Sequence, residues 1–439
     1  MRQKLTFKLE DTTIFKKQLF FYLSNCKHFA FLDSNNYKQY YPVGTDYIKY
    51  EMLAANGLHK LIEADTDAFS ELKKQTDIEK DWMFGVLAYD LKNEVHKLTT
   101  NKPNKLEFPN LLFFIPKQVF LVKNNELTVE YLDDYFSEKE VLETVEEILI
   151  QVPPEPDYSK LRLTITQATA RAEYLNTVEK LRDHIRLGDI YELNYCTDFF
   201  VENTTINPIN LYQKLNAVSP TPFSAFFRIR NRYLISASPE RFMRKSGKQI
   251  ISQPIKGTIK RGKTADEDIR LAEQLLNDPK ERAENIMITD LVRNDLSQTA
   301  APGTVKVEEL FGIYKFPQVV QMISTVCSEL ADNKDATDAL KAAFPPGSMT
   351  GAPKKRAAEL SEEYENFRRS WYAGSMGYFS PDGNFDFNVI IRSILYNANN
   401  KYLSFAAGGA ITFQSVPEKE YEECLLKVEA IKNNYHNAK

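Results

Sequence analysis

Strands and helices gathered in blocks, without the regular alternation of a parallel βαβ protein, predict an α+β fold. Two stretches read as strand blocks: PFSAFFRIRNRYLISAS at 222–238, turning at Arg230-Asn231, and residues 374–411, from GSMGYF to GGAI. Helical periodicity runs on both sides of Asp278-Pro279 through residues 266–298 and returns at 418–435.

Taken in order, the chain opens with short apolar segments broken by polar residues: FAFLDS (29–34), WMFGVLAYDL (82–91), LLFFIPKQVFLV (111–122) and ELTVEYL (126–132). They read as a sheet, with EKEVLETVEEILIQV (138–152) as an attached helix. VPPEPDYS (152–159) is the linker candidate, because clustered prolines lack N–H donors and restrict their neighbours. Beyond it, Leu175, Val178, Leu181 and Ile185 line one helical face, and Gly188 closes that helix.

Composition narrows the function classes. A hydrophobic share of 43% with a charged share of 26% suits a globular enzyme of one large or two medium domains. The net charge is −4 with both signs mixed along the chain, which argues against nucleic acid as a partner. The start, MRQKLTFKLEDTTIFKK, has no apolar signal core, and no apolar run approaches the about 18 residues of a spanning helix, so no membrane association is expected. Cys26, Cys196, Cys327 and Cys424 lie far apart, which fits a reducing cytoplasm rather than a disulfide frame or zinc site. The five histidines, at 28, 59, 96, 184 and 436, lack metal-ligand spacing and read as surface or packing residues.

SQPIKGTIKRGKT (252–264) has two readings. From Gly257 it matches the phosphate-loop pattern G-x-x-x-x-G-K-[ST], with Lys263 as the phosphate lysine of a nucleotide-binding protein. Ile259 is stiff, and Thr258, Lys260 and Arg261 add bulk where backbone must close on phosphate, so the pattern fits in letters more than in character. From Pro254 the same stretch reads P-I-K-G-T, with Lys256 as an amine nucleophile between two residues that shape the backbone. Such a lysine needs a pocket that lowers its pKa from about 10.4.

Acids stand where they could surround that lysine. Glu240 ends a strand in SPERF, Glu284 lies on the 266–298 helical stretch, and Glu420, Glu423 and Lys427 share one face of the last helix. Any one of these alone reads as a solvated acidic face. Carboxylates from two helices with few other ligands suit magnesium when a substrate carboxylate completes its shell.

Together these segments resemble the chorismate-utilising enzymes, the family of anthranilate synthase component I, aminodeoxychorismate synthase component I and the isochorismate and salicylate synthases. The resemblance rests on GDIYELN (188–194), SPERF (238–242), PIKGT (254–258), AENIMITDLVRNDL (283–296), PPGSMTGAPK (345–354), YAGSMGYFS (372–380), IIRS (390–393) and SVPEKEYEECLLK (415–427), in family order. It implies large antiparallel sheets packed as a sandwich with surrounding helices, an N-terminal region at 1–151 and a chorismate-binding catalytic region at 160–436. FAFLDS resembles the N-terminal segment of the two amino-transferring branches, where an amino acid or a partner would bind in a non-catalytic relative.

The lysine form P-I-K-G-T resembles the aminodeoxychorismate branch, since anthranilate synthases typically carry alanine there. The implied reaction converts chorismate and ammonia to 4-amino-4-deoxychorismate, a precursor of p-aminobenzoate and folate, through a covalent Lys256 adduct, with anthranilate synthase component I as the alternative. By the same resemblance Glu240 is the acid/base, Glu284 and Glu423 bind Mg2+ with Glu420 close by, and Lys427 adds positive charge. Tyr372 and Arg392 would grip the enolpyruvyl carboxylate, while Thr258, Ser348 and the Gly408, Gly409 and Ala410 backbone would contact substrate. Ammonia would come from a separate glutamine amidotransferase subunit, because no cysteine here sits in a G-x-C-x-G context.

Three positions depart from the family pattern. Gln321 replaces a histidine associated with pyruvate elimination, which fits a reaction that stops at the amino-chorismate stage. Glu192 stands where glutamine is common, and Ile259-Lys260 where Arg-Pro is frequent.

Overall fold

A computed structural model describes residues 2–41, 47–155 and 163–432. Two antiparallel sheets organise them. The larger runs in the order Arg2–Lys8, Glu126–Leu132, Gln118–Lys123, Met52–Asn56, His28–Asp33, Phe223–Ile229, Arg232–Ser238, Ser393–Asn397, Tyr402–Ile411, Glu192–Val201 and Gly351–Ala352. The smaller runs Ile255–Lys260, Val319–Glu329, Gln249–Gln253, Arg241–Ser246, Phe385–Val389, Ser375–Phe379, Met83–Leu87, Leu111–Ile115 and Lys60–Ala64.

The sheets face each other across one apolar core. Ala30, Leu53, Phe227 and Leu234 from the larger sheet share it with Met83, Phe113, Met376 and Phe387 from the smaller. On the larger sheet's other face, Phe29, Phe31 and Phe226 pack under Phe15 and Leu19, Val141 and Val145, and Val178 and Leu181 of three helices. The α+β sandwich with surrounding helices is therefore the observed architecture. Burying each such side chain is worth roughly 1.5–3 kcal/mol, which is why strands covered on both faces read as continuous apolar runs rather than as alternation.

That same continuity hid a corner. LLFFIPKQVFLV reads as one apolar segment, but Leu111–Ile115 belongs to the smaller sheet and Gln118–Lys123 to the larger. Pro116 has no N–H to continue a ladder and stands between them. The N-terminal and catalytic regions are also not separate layers: His28–Asp33 pairs with Phe223–Ile229, and Met83–Leu87 with Ser375–Phe379. Of the proposed linker, residues 156–159 lie outside the described residues, as do 160–162 and 433–436 of the catalytic region and His436.

Local signals account for the helices around the site. Asp278 ends Ala265–Asn277 and caps Pro279–Ser297, its carboxylate accepting from the Lys280 and Glu281 amides while Pro279 occupies the first helical position. Arg171–Arg186 ends just before Gly188, which takes φ +80°.

The phosphate-loop reading fails on structure. Thr258, Ile259 and Lys260 lie in a strand, and the amides of Gly262 and Lys263 are bonded to the Asp268 and Glu267 carboxylates of the next helix. A loop whose N–H groups already hold carboxylates presents no anion cradle.

Candidate active site

Lys256 projects from a β-bulge. Ile255 lies opposite Ile323 and Thr258 opposite Gln321, so Lys256 and Gly257 together face the single residue between those two. An inserted residue bends the strand and re-aims a side chain. Gly257 is required there: its φ is +94°, and a Cβ would lie 3.1 Å from Leu275 and 3.2 Å from a Glu281 carboxylate oxygen.

The Lys256 ammonium donates to Glu192 Oε1 at 2.7 Å, with the two side chains only 11% and 6% exposed. Burial alone would lower the lysine pKa. Glu192, Glu284 and Glu240 outweigh it and hold Lys256 above the ordinary lysine range, as a cation. The depressed pKa expected of a nucleophilic lysine is therefore absent in this state, because the pocket surrounds the amine with carboxylates rather than with cations or apolar groups.

Glu240 follows Arg232–Ser238 and is buried. Burial raises its carboxyl from 4.5 to about 7, against the Ser348 hydroxyl, Lys256 and the Ile255 backbone, which favour the charged form. Ser348 sits in a short 3-10 turn, Gly347–Met349, whose Ser348 carbonyl accepts from Asn194 Nδ2 at 3.0 Å. Behind that turn, Arg369 bonds the Met349 and Asn194 carbonyls at 2.7 and 2.9 Å while paired with buried Glu365, so the turn and the strand carrying Glu192 share one strut.

A second carboxylate group lies beside the first. Glu284 is buried and raised to about 7 by burial, and its Oε1 has no hydrogen-bond partner among the described residues. Lys280, one turn earlier, stands 3.5 Å from Glu284 and 3.9 Å from Glu420 of Pro417–Lys432. Burial also pushes the Glu420 carboxyl up. Burial acts the same way on Glu423, but Lys427 and Lys280 outweigh it and hold that carboxyl below its ordinary range. Lys427 bonds Glu423 at 2.9 Å and the Gly408 carbonyl at 2.8 Å. Among the described residues no three His, Cys, Asp or Glu side chains form a ready-made ion cage.

The small residues at 408–410 lie against the strand carrying Glu192, with Asn194 opposite Ala410 and Cys196 opposite Gly408. A Cβ on Gly408 would lie 2.4 Å from the Tyr195 carbonyl, and one on Gly409 would lie 3.3 Å from Glu420 Oε2. Arg392, left-handed at φ +50°, has Tyr37 and Glu240 as its electrostatic neighbours and makes no hydrogen bond or ion pair among the described residues.

Two expected residues have other neighbours. The Tyr372 hydroxyl has the Cys196 thiol and the Arg369 guanidinium as its electrostatic neighbours, and among the described residues no hydrogen bond or ion pair joins it to Arg392. Thr258 is exposed, opposite Gln321, which is buried with its Oε1 making no hydrogen bond among the described residues. Sequence reasoning also missed Lys280 and Glu281, although both precede Glu284 at helical spacing, and it met Glu192 only as a departure. A cleft of ≈ 910 Å³ is lined by Ile286, Asp290, Asn294 and Lys341 and by none of the carboxylates above. Beside Asp33 and Ser34 of FAFLDS lies a cavity of ≈ 70 Å³, next to a buried Lys16–Asp33 pair of 2.8 Å.

The chorismate binding enzyme family matches residues 27–433. The chain belongs to that family. Within it, the chain is 37% identical over 352 residues to anthranilate synthase component 1 of Thermus thermophilus, covering 79% of this chain and 76% of that protein. It is 35% identical over 349 residues to aminodeoxychorismate synthase component 1 of Escherichia coli, covering 79% and 75%. Anthranilate synthase component I from Streptococcus pneumoniae superposes with a TM-score of 0.76 at 25% identity, covering 92% of this chain and 91% of that one. The menaquinone-specific isochorismate synthase MenF of Escherichia coli shares the fold, with a TM-score of 0.77 at 18% identity. Among the described residues no helix is long and apolar enough to cross a membrane.

Proposed function

We propose that this chorismate-binding enzyme is an aminodeoxychorismate synthase component 1, which converts chorismate and ammonia to 4-amino-4-deoxychorismate. The observation that carries the reading is Lys256, bulged out of its strand into a pocket it shares with Glu192, Glu240 and Glu284. Its amine attacks C2 of the ring, the two ring double bonds shift, and the C4 hydroxyl departs as water with a proton from Glu240. Ammonia then bonds to C4, the double bonds shift back, and Lys256 leaves. Glu240 is suited to this, because a carboxyl near 7 both gives a proton to the hydroxyl and takes one from the new ammonium.

Glu284, Glu420 and Glu423 would hold a magnesium ion as hard oxygen donors, Glu284 with a buried oxygen that makes no hydrogen bond among the described residues. When bound, the metal would supply positive charge for the ring carboxylate. Lys280 now provides the cation nearest Glu284 and Glu420, and its side chain is 41% exposed. Lys280→Met is therefore expected to tighten divalent binding roughly fivefold to tenfold, the modest gain a half-exposed charge allows. Titration with Mn2+, followed by the electron paramagnetic resonance of the free ion, checks it; equal affinity in both proteins refutes it.

The relatives are named component 1, which supports a second subunit; on this reading that subunit is a separate glutamine amidotransferase that supplies ammonia, working with this chain in the cytoplasm. Product identity tests the whole reading. Purified protein with chorismate, magnesium and ammonium should give a product of amino-chorismate mass with the pyruvyl group retained; anthranilate plus pyruvate would place it in the other branch.

A further inference from the structure

The proposed chemistry leaves one step unassigned. Lys256 attacks as a neutral amine, yet the fold holds it as an ammonium. We infer that Glu192 is the base that takes the Lys256 proton, and that it returns the proton when the lysine leaves. The inference rests on the reading of Lys256 as the nucleophile.

Geometry singles out Glu192. The charged and titratable groups around the amine are Glu192 from the strand Glu192–Val201, Glu240 from the turn before Arg241–Ser246, Glu281 and Glu284 from Pro279–Ser297, and Glu423 from the last helix. Lys280 lies beyond Glu284. Among the described residues only Glu192 is within hydrogen-bond distance, at 2.7 Å. It is buried and held in place by its strand, where Glu192 pairs with Ala352. The Lys256 carbonyl lies 3.5 Å from Asn285 Nδ2, and the Asn285 amide is fixed in turn by Ser324 at 2.6 Å.

A proton transfer inside this pair converts two buried charges into two neutral groups. Bound substrate excludes water and raises the cost of keeping the charges apart, so the neutral pair gains as the site closes. The steps balance. The ammonium proton moves to Glu192, and the amine forms the N–C2 bond and becomes a secondary ammonium. The C4–O bond breaks and the hydroxyl leaves as water with the Glu240 proton. Ammonia bonds to C4, the two ring double bonds shift back, the N–C2 bond breaks with its electron pair leaving on the lysine nitrogen, and the freed amine recovers its proton from Glu192. The new C4 ammonium gives one proton to Glu240, which restores both carboxyls.

Glu192→Gln keeps a hydrogen-bond acceptor for Lys256 but cannot take its proton. In that variant the proton must escape to solvent before attack, so its rate depends on pH in a way the parent's does not. Rates of amino-chorismate formation at saturating magnesium and ammonia, compared as the ratio of variant to parent, cancel the titration of Glu240 and Glu284. The expected result is a ratio lowered about tenfold to a hundredfold at neutral pH and climbing about tenfold per pH unit below pH 7. Without ammonia, the mass of the intact protein should show the Lys256 adduct accumulating more slowly in Glu192→Gln than in the parent. Thermal melting checks that the variant is folded.

Lys256→Ala, run alongside, separates the two readings. If Lys256→Ala still forms product, the nucleophile reading fails and Glu192 falls with it. If Lys256→Ala is inactive while Glu192→Gln has a ratio of one at every pH, or a low ratio that does not move with pH, Glu192 is not the proton acceptor.

Discussion

Lys256→Ala should lower amino-chorismate formation by at least about 10³-fold, the scale expected when the group that forms a covalent intermediate is removed. The same change should weaken the fold. Glu192 is buried at 4% exposure, and losing its partner strands a carboxylate; removing one member of a buried pair costs about 3–5 kcal/mol. A double variant, Lys256→Met with Glu192→Gln, separates the two effects. It should melt close to the parent and remain inactive. Activity surviving in a folded double variant would remove Lys256 from the mechanism.

Glu240→Gln is the second large effect, lowering kcat by about 10²–10⁴-fold through loss of the proton that leaves with the hydroxyl. Its pH signature has a definite sign. The folded chain keeps the Glu240 proton up to about 7, against an ordinary 4.5, so between those values it binds more protons than the unfolded chain. Stability contributed at this position is therefore lost as pH rises through that window. Glu284 shifts in the same direction, so the comparison between parent and variant isolates Glu240. Melting temperatures at pH 5 and pH 8 should fall less with pH in Glu240→Gln than in the parent, and at pH 8 the inactive variant should be the more stable. Equal slopes would mean that Glu240 titrates as an ordinary exposed carboxyl.

Glu240 and Glu284 on one side and Lys280 on the other show how differently site residues appear in a sequence. The first two stand in segments whose order along the chain resembles a family. Lys280 precedes Glu284 by one helical turn, a spacing found on any solvated helix, and acquires meaning only when Glu420 arrives from a helix near the other end of the chain. Arg392 differs again. IIRS marks it in sequence, but its left-handed backbone, and its place beside Tyr37 from the N-terminal region, follow from packing.

By itself, the sequence determined the secondary-structure blocks, the α+β class and the residues worth watching, because these depend on local chemistry: periodicity, turns at Arg230-Asn231, and Asp278-Pro279 ending one helix and starting the next. Tertiary structure alone decided which sheet each strand joined, since strands covered on both faces carry no mark of their partner. It also decided the charge of Lys256. A lysine between proline and glycine does not reveal whether its pocket repels or attracts a proton; that depends on Glu192, Glu240 and Glu284, which distant segments bring to one amine, where electrostatic attraction exceeds the cost of burial.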